Sequence, residues 1–394
     1  MDPAKDLPTP FYLFSEEILR TNWETLYNSF LSFWPNFAIA YSYKTNPLKF
    51  IARYLHSMGA LAEVTSEHEL GLAKTNNPKS LIYNGIFKPE EELANAIMLG
   101  AKIHIDGEEQ LNTLIELIEK KNITAHIGIR LSRSMINSGY CDQFGFELLN
   151  QNDFDTLFNK ITKIKNIRIR GIHCHLGTNI KDFNIYESTA RMFGEIYNKL
   201  RGKGIELSWI DIGGGFISST DSAVYRRYAE CISRGLKKSN VKKDTQLIIE
   251  PGRALVESAG VLVTKVVDIR YRKKSNSTYI IVNSGTNFII PFKLVNDRKI
   301  FKVNYSKGNF VENYQIAGVL CSNEDIIAEN VNLNKVKIGD KIIISNVGAY
   351  DISTAYSFSR LRPSVFNYTE NKILCLAREA ETSDYVIGLE PNIC

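Results

Sequence analysis

Eight short β-type runs alternate with amphipathic runs of helical period over the first two-thirds of the chain. No other feature constrains the fold as strongly. The β-type runs cover residues 37–43, 61–64, 80–83, 102–105, 124–130, 168–175, 208–212 and 246–250. Between them, stretches such as 48–58, 90–99, 110–120, 186–200 and 223–236 place apolar residues three and four apart, the spacing of one helix face. Strands alternating with helices imply βα units and a parallel sheet. Eight such units between residues 37 and 250 match the size of a (β/α)8 barrel. A doubly wound sheet is the rival, but it usually has fewer strands, and no G-x-G-x-x-G follows the first run.

Beyond Gly252 the texture changes. Residues 259–271, 278–282, 316–320, 336–346 and 364–368 are β-branched and aromatic, separated by turns such as Ile338-Gly339-Asp340. This predicts a mostly antiparallel β domain. The run at 9–14 precedes the barrel and is expected to pair with that domain. The expected fold class is α/β: a TIM-like barrel plus a C-terminal, mostly antiparallel β domain. The expected boundaries are 1–28 for an N-terminal segment partly joining the β domain, 29–257 for the barrel and 258–394 for the sandwich- or barrel-like β domain.

Composition removes several classes. Basic residues number 48 against 43 acidic, a nearly balanced +5 with no long basic block, so no nucleic-acid partner is expected. The six cysteines (Cys141, Cys174, Cys231, Cys321, Cys375, Cys394) are scattered without a C-x-x-C pair, which argues against a disulfide scaffold and common zinc sites. No apolar run reaches the roughly 20 residues needed to span a membrane. The first ten residues are polar and Pro-rich, unlike a secretory leader. A cytoplasmic, reduced setting is expected.

In a barrel, chemistry gathers where strands end. The first run ends in Tyr43-Lys44-Thr45-Asn46. A desolvated Lys there would have a lowered pKa, suited to Schiff-base chemistry; alone it could equally reach solvent. The second ends in Glu63-Val64-Thr65-Ser66-Glu67-His68-Glu69, where Ser66 and Glu69 match a helix capping box. Arg130 ends the fifth. The sixth ends in His173-Cys174-His175-Leu176-Gly177-Thr178, with both histidines expected on one side. They could hold a metal or face an aromatic ligand, although no further spacing supports zinc. The seventh ends in Gly213-Gly214-Gly215, a flexible turn or an anion cradle. The eighth ends in Glu250-Pro251-Gly252-Arg253, a structural ion pair or a ring-nitrogen and phosphate site. Together, an inward Lys, a His, a phosphate cradle and a Glu for a pyridinium nitrogen are the set that pyridoxal 5′-phosphate requires.

With these motifs in place, and adding Cys321 with Asp325 and Gly348-Ala349-Tyr350, the chain resembles the fold-type III pyridoxal-phosphate decarboxylases. This group of diaminopimelate, ornithine and arginine decarboxylases shares the alanine-racemase-like barrel. The resemblance runs from residue 9 to about residue 363. It implies an amino-acid carboxy-lyase in which Lys44 carries the cofactor, His175 stacks on its ring and Glu250 pairs with its ring nitrogen. Gly213, Gly214, Gly215 and Arg253 would bind the phosphate, with Thr178 standing where the family usually has Ser. Cys321 would protonate Cα. Cys321 and Tyr350 would come from the partner in a homodimer with shared active sites. Ser322, Phe358 and Arg360 would line the substrate end.

Two departures from the family pattern concern that end. Ser322 stands where members acting on basic substrates usually carry an acid, and Pro291 falls where diaminopimelate decarboxylases usually carry an Arg, after Asn283-Ser284-Gly285-Thr286-Asn287. A distal ammonium without a counter-charge is costly to bind. The expectation is therefore a larger amino-acid conjugate, of citryl–diamino acid type, in siderophore or other specialised metabolism. Diaminopimelate or a basic amino acid is the alternative. A catalytically dead regulator is a further one, opposed by intact Lys44, Glu250, Arg253 and Cys321. A racemase would need a second base opposite Lys44.

Overall fold

A computed structural model describes residues 6–136, 143–295, 298–302 and 312–390; Cys141 and Cys394 lie outside them. Contacts divide the chain into two units, Thr21–Leu255 and Met1–Arg20 with Val256–Cys394.

In the second unit a short strand precedes the barrel, β1 (Phe11–Ser15). The first unit holds the closed barrel of β2 (Phe37–Ser42), β3 (Leu61–Val64), β4 (Leu81–Tyr83), β5 (Lys102–Ile105), β6 (Ala125–Arg130), β7 (Ile167–His173), β8 (Trp209–Asp211) and β9 (Gln246–Ile249). All neighbouring pairs are parallel, and β2 closes on β9. Each expected run becomes one stave. The largest difference is at β7, which stops at His173, so His175 stands in the loop beyond it. The strands read as near-continuous apolar runs because both faces are covered, the inner by barrel side chains and the outer by helices. Ala40, Leu61, Ile82, Trp209 and Ile248 form one interior cluster.

The intervening helices include Lys49–Ser57, Glu67–Asn76, Glu90–Met98, Glu108–Lys121, Gln151–Thr162, Phe183–Gly202 and Ser222–Lys238. The Ser66 hydroxyl caps Glu67–Asn76 by accepting from Glu69 N, as expected. The reciprocal half differs: the Glu69 carboxylate accepts from Thr65 N at 2.7 Å, one residue earlier than a capping box requires. Among the described residues no helix is long and apolar enough to cross a membrane.

The other unit is a nine-stranded sheet. Its strands after the barrel are β10 (Gly260–Arg272), β11 (Ser277–Val282), β12 (Ile300–Lys302), β13 (Glu312–Ala317), β14 (Ile326–Leu333), β15 (Lys341–Ile344), β16 (Ser364–Tyr368) and β17 (Leu374–Arg378). Most pairs are antiparallel; β1–β16 and β11–β13 are parallel. The β1 strand lies between β10 and β16, which is the pairing expected of the run before the barrel. Phe11, Val263 and Ile343 pack one face.

Candidate active site

The C-terminal ends of the barrel strands surround a cleft of about 470 Å3 lined by Lys44, Glu63, Asn84, Arg130, His173, His175, Thr178 and Glu250, among others. Of the barrel residues expected at a site, Lys44, His175, Thr178 and Glu250 are brought together here. Lys44 sits on a single turn (Tyr43–Thr45) directly after β2. Its Nζ lies 2.8 Å from Glu63 Oε2, and its side chain is 36% exposed. The expected desolvation is thus replaced by an ion pair: Lys44 meets a carboxylate rather than an apolar wall.

Glu63 is fully buried inside β3, where Ser42 Oγ donates to Oε2 and Asn84 Nδ2 donates to Oε1 at 3.1 Å. Asn84 Nδ2 also donates to Glu250 Oε1. Glu250 Oε2 is buried and accepts from no N–H group; His173 Nε2 is 3.4 Å away, and the buried Asp211 carboxyl, pushed well above the usual carboxylate range by burial and by Glu250, faces the same side chain. A buried carboxylate oxygen at the floor of a cleft is costly unless a donor or cation reaches it.

His175 Nδ1 accepts from Gly214 N at 3.3 Å. Burial and the nearby Lys44 ammonium lower its pKa from 6.5 to about 4, so the ring is neutral at pH 7 and presents a face without charge. His173 is buried and stacks on His104 with centroids 4.6 Å apart. Burial pushes both well below the ordinary histidine range. His104, His173 and Glu250 lie close enough to suggest a metal set, but both His104 nitrogens are engaged, one by Trp209 Nε1 and the other by Asn84 Oδ1.

The Gly213-Gly214-Gly215 turn packs against the neighbouring strand ends. A Cβ on Gly214 would stand 2.6 Å from the Glu250 carbonyl oxygen and 3.2 Å from His175 Cε1; Gly213 adopts φ +69°. Gly213 N donates to Asp211 Oδ1, and Glu250 N donates to Gly213 O at 2.8 Å, which ties the glycine turn to the strand end carrying Glu250. Arg253 opens the short helix that follows (Arg253–Val256). A tight glycine turn, a half-buried Arg that can donate to a phosphate and a buried carboxylate that can accept from a ring N–H fit a phosphorylated pyridine.

Cys321, Ser322, Tyr350, Phe358 and Arg360 belong to the other unit. Cys321 and Ser322 are exposed on the β13–β14 loop. Buried Asp325 explains the C-x-x-x-D spacing: its carboxylate accepts from Leu320 N and Thr286 N, each at 2.7 Å, and so fixes the loop that presents Cys321. Asn287 donates to the carbonyls of Tyr356 and Arg360, tying down the stretch that carries exposed Phe358 and Arg360. Arg362, two residues on, is paired with Glu381. Tyr350 adopts φ +70°, uncommon for a residue with a large side chain.

The comparisons with known proteins agree with this geometry. Residues 20–257 match the family described as pyridoxal-dependent decarboxylase, pyridoxal binding domain. The chain belongs to this family. It is a pyridoxal-phosphate-dependent amino-acid decarboxylase. It is 28% identical to the diaminopimelate decarboxylase of Methanocaldococcus jannaschii over 96% of this chain and 90% of that one. It is 26% identical to that of Aquifex aeolicus over 99% and 93%. The crystal structure of the M. jannaschii enzyme with L-lysine superposes with a TM-score of 0.90 at 26% identity, covering 99% of this chain and 94% of that one. A lysine/ornithine decarboxylase from Vibrio vulnificus shares the fold, with a TM-score of 0.78 at 21% identity, over 94% and 97% of the two chains.

Glu63, Asn84 and His104 were not singled out from sequence. A signal existed: each is polar within or directly after a short apolar strand whose neighbours are buried, a place where an unpaired polar group is costly.

Proposed function

We propose that this decarboxylase acts on a substrate of the diaminopimelate class, an α-amino acid with a polar distal end. The curated relatives quoted above, both named diaminopimelate decarboxylase and matched over nearly the whole chain, support this reading. The observation that carries the chemistry is the pairing of Lys44 with buried Glu63 in one cleft with the buried Glu250 carboxylate. When bound, pyridoxal phosphate supplies a protonated ring that accepts the electron pair left as the Cα–carboxylate bond breaks.

The chain's residues do the rest. Lys44 Nζ holds the cofactor, and Glu63 Oε2 beside it holds or returns the Nζ proton. Glu250 Oε2 keeps the ring-nitrogen proton in place. Neutral His175 covers the ring. Gly215, Thr178 and Arg253 offer donors to the phosphate, Gly213 and Gly214 shape the turn beside it with their own N–H groups bonded to Asp211 and His175, and Tyr350 reaches the cofactor. Cys321 Sγ delivers a proton to Cα after carbon dioxide leaves. We place Cys321 and Tyr350 at the site of a second copy in a homodimer, a reading supported by the exposed, Asp325-fixed loop. A cytoplasmic setting belongs to the same proposal.

A second reading rests on Ser322 and Pro291. Neither can neutralise a free distal ammonium or carboxylate, which favours an amino-acid conjugate of citryl–diamino acid type, as in siderophore synthesis, with Ser322, Phe358 and Arg360 at the distal end. Carbon dioxide release measured on meso-diaminopimelate, ornithine, lysine, arginine and a citryl–diamino acid conjugate separates the two. Turnover of diaminopimelate supports the first; turnover of the conjugate alone overturns it in favour of the second.

A further inference from the structure

The barrel register places His104 (β5), Gly128 (β6), Gly171 (β7) and Trp209 (β8) side by side in one row. The two middle positions have no side chain. A Cβ on Gly128 would strike the His104 ring, and one on Gly171 would strike the Trp209 indole. The space they leave lets His104 and Trp209 reach across two strands and meet, with Trp209 Nε1 donating to His104 Nε2 at 2.9 Å. An indole N–H can only donate, so His104 Nε2 must be an acceptor and Nδ1 must carry the ring proton. His104 Nδ1 then donates to Asn84 Oδ1 at 2.6 Å. This fixes the Asn84 amide orientation and turns its NH2 toward the carboxylates, one hydrogen to Glu63 Oε1 and the other to Glu250 Oε1. Each donor and acceptor in the sequence Trp209, His104, Asn84 has one assignment consistent with the rest.

We propose that Asn84 is a positioning residue that holds Glu63 and Glu250 as two separate carboxylates, one for Lys44 and one for the cofactor ring, and that His104 and Trp209 set its orientation. Two buried carboxylates close to a common point repel and tend to share a proton. One NH2 group with a hydrogen for each gives both carboxylates a donor of their own; the buried Asp211 carboxyl also faces Glu250 and is pushed well above the usual carboxylate range by burial and by that neighbour. The inference rests on the reading of Glu250 as the ring-nitrogen partner.

The experiment uses purified full-length protein, stripped of cofactor and titrated with pyridoxal 5′-phosphate. It records the dissociation constant, the pH dependence of the bound cofactor's visible band and the melting of the cofactor-free form. Asn84→Asp is isosteric but replaces the shared donor with one more carboxylate beside Glu63, Glu250 and Asp211. It weakens cofactor binding about 10- to 100-fold, the range for losing hydrogen bonds to charged groups, and makes the band titrate at a different pH. Asn84→Ser keeps one donor and gives a smaller change of the same kind; it decides the matter if the Asp variant does not fold. Trp209→Phe removes the far N–H together with part of the buried indole, so it also lowers the melting temperature, and it shifts the band's pH dependence slightly in the same direction. Unchanged affinity and unchanged pH dependence in both Asn84 variants overturn the proposal. So does a fall in melting temperature with the pH dependence unmoved, which marks a packing role alone. Glu250→Gln separates the two layers: if it leaves the band's pH dependence intact, the role given to Glu250 has failed and this inference falls with it; if it moves the band while the Asn84 variants do not, only the role of Asn84 has failed.

Discussion

Gly214→Ala tests whether the glycine turn is built around Glu250 and His175. The new Cβ would stand 2.6 Å from the Glu250 carbonyl oxygen, a backbone atom that cannot swing aside, and 3.2 Å from His175 Cε1. Relief has two routes. The turn can lift, which breaks the 3.3 Å bond from Gly214 N to His175 Nδ1, or the end of β9 can shift, which moves Glu250. Overpacking in a tight interior costs about 1–3 kcal/mol. A lost hydrogen bond adds about 0.5–1.5 kcal/mol. The cofactor-free protein should therefore lose about 2–4 kcal/mol in urea unfolding. If only 1.4 kcal/mol of that strain is felt by the bound cofactor, pyridoxal phosphate binds about tenfold more weakly. Gly71→Ala is the control with the opposite sign. Gly71 lies within the helix Glu67–Asn76 with nothing near its Cβ, so Ala there should stabilise by about 0.5–1 kcal/mol. A Gly214→Ala protein that unfolds within about 0.5 kcal/mol of wild type and binds cofactor normally would refute the reasoning.

Three further outcomes follow from the same structure. Burial lowers the pKa of His104, His173 and His175, the last from 6.5 to about 4, so the unfolded chain takes up more protons than the folded one across that window. Buried Asp211 and Glu69, held above the usual carboxylate range, act in the opposite direction, so the test is a difference: wild type should lose stability relative to His173→Asn as pH drops from 6.5 toward 4, and identical pH slopes contradict the assignment. Cys321→Ala should slow turnover or misprotonate the product while leaving cofactor affinity unchanged, and weakened cofactor binding would show a structural residue instead. Asp325→Asn cannot accept from both Leu320 N and Thr286 N, so it should cost about 1.5–3 kcal/mol in unfolding and lower kcat by loosening the Cys321 loop; a variant as stable and active as wild type would show that Asp325 does not hold the loop.

The barrel was legible because its signal is periodic and repeated. Eight apolar runs, each followed by an amphipathic stretch or a turn, leave few other ways to bury both faces of a parallel sheet. Of the residues expected at strand ends, Lys44, His175, Thr178 and Glu250 line one cleft. The carboxylate facing Lys44 was less legible. Glu63 and Glu69 stand six residues apart in one strand-end motif, and the S-x-x-E pattern drew attention to Glu69, whose carboxylate closes a turn at Thr65. Which acid meets the lysine depends on inward or outward direction within β3, which is settled only when the barrel closes. The Trp209–His104–Asn84 sequence was hidden for a related reason. Trp209 on β8 stands 105 residues from His104 on β5, which is 20 residues from Asn84 just after β4, and Trp209 and His104 meet only because Gly128 and Gly171 share their row.

The measurement closest to the central claim locates the cofactor on the chain. The purified protein, loaded with pyridoxal phosphate, is reduced with borohydride, digested and mapped by mass spectrometry. The account predicts one added pyridoxyl-phosphate group on the peptide containing Lys44, a visible band lost on reduction, and neither signal in Lys44→Ala. Attachment at another lysine, or a band that survives in Lys44→Ala, would contradict it.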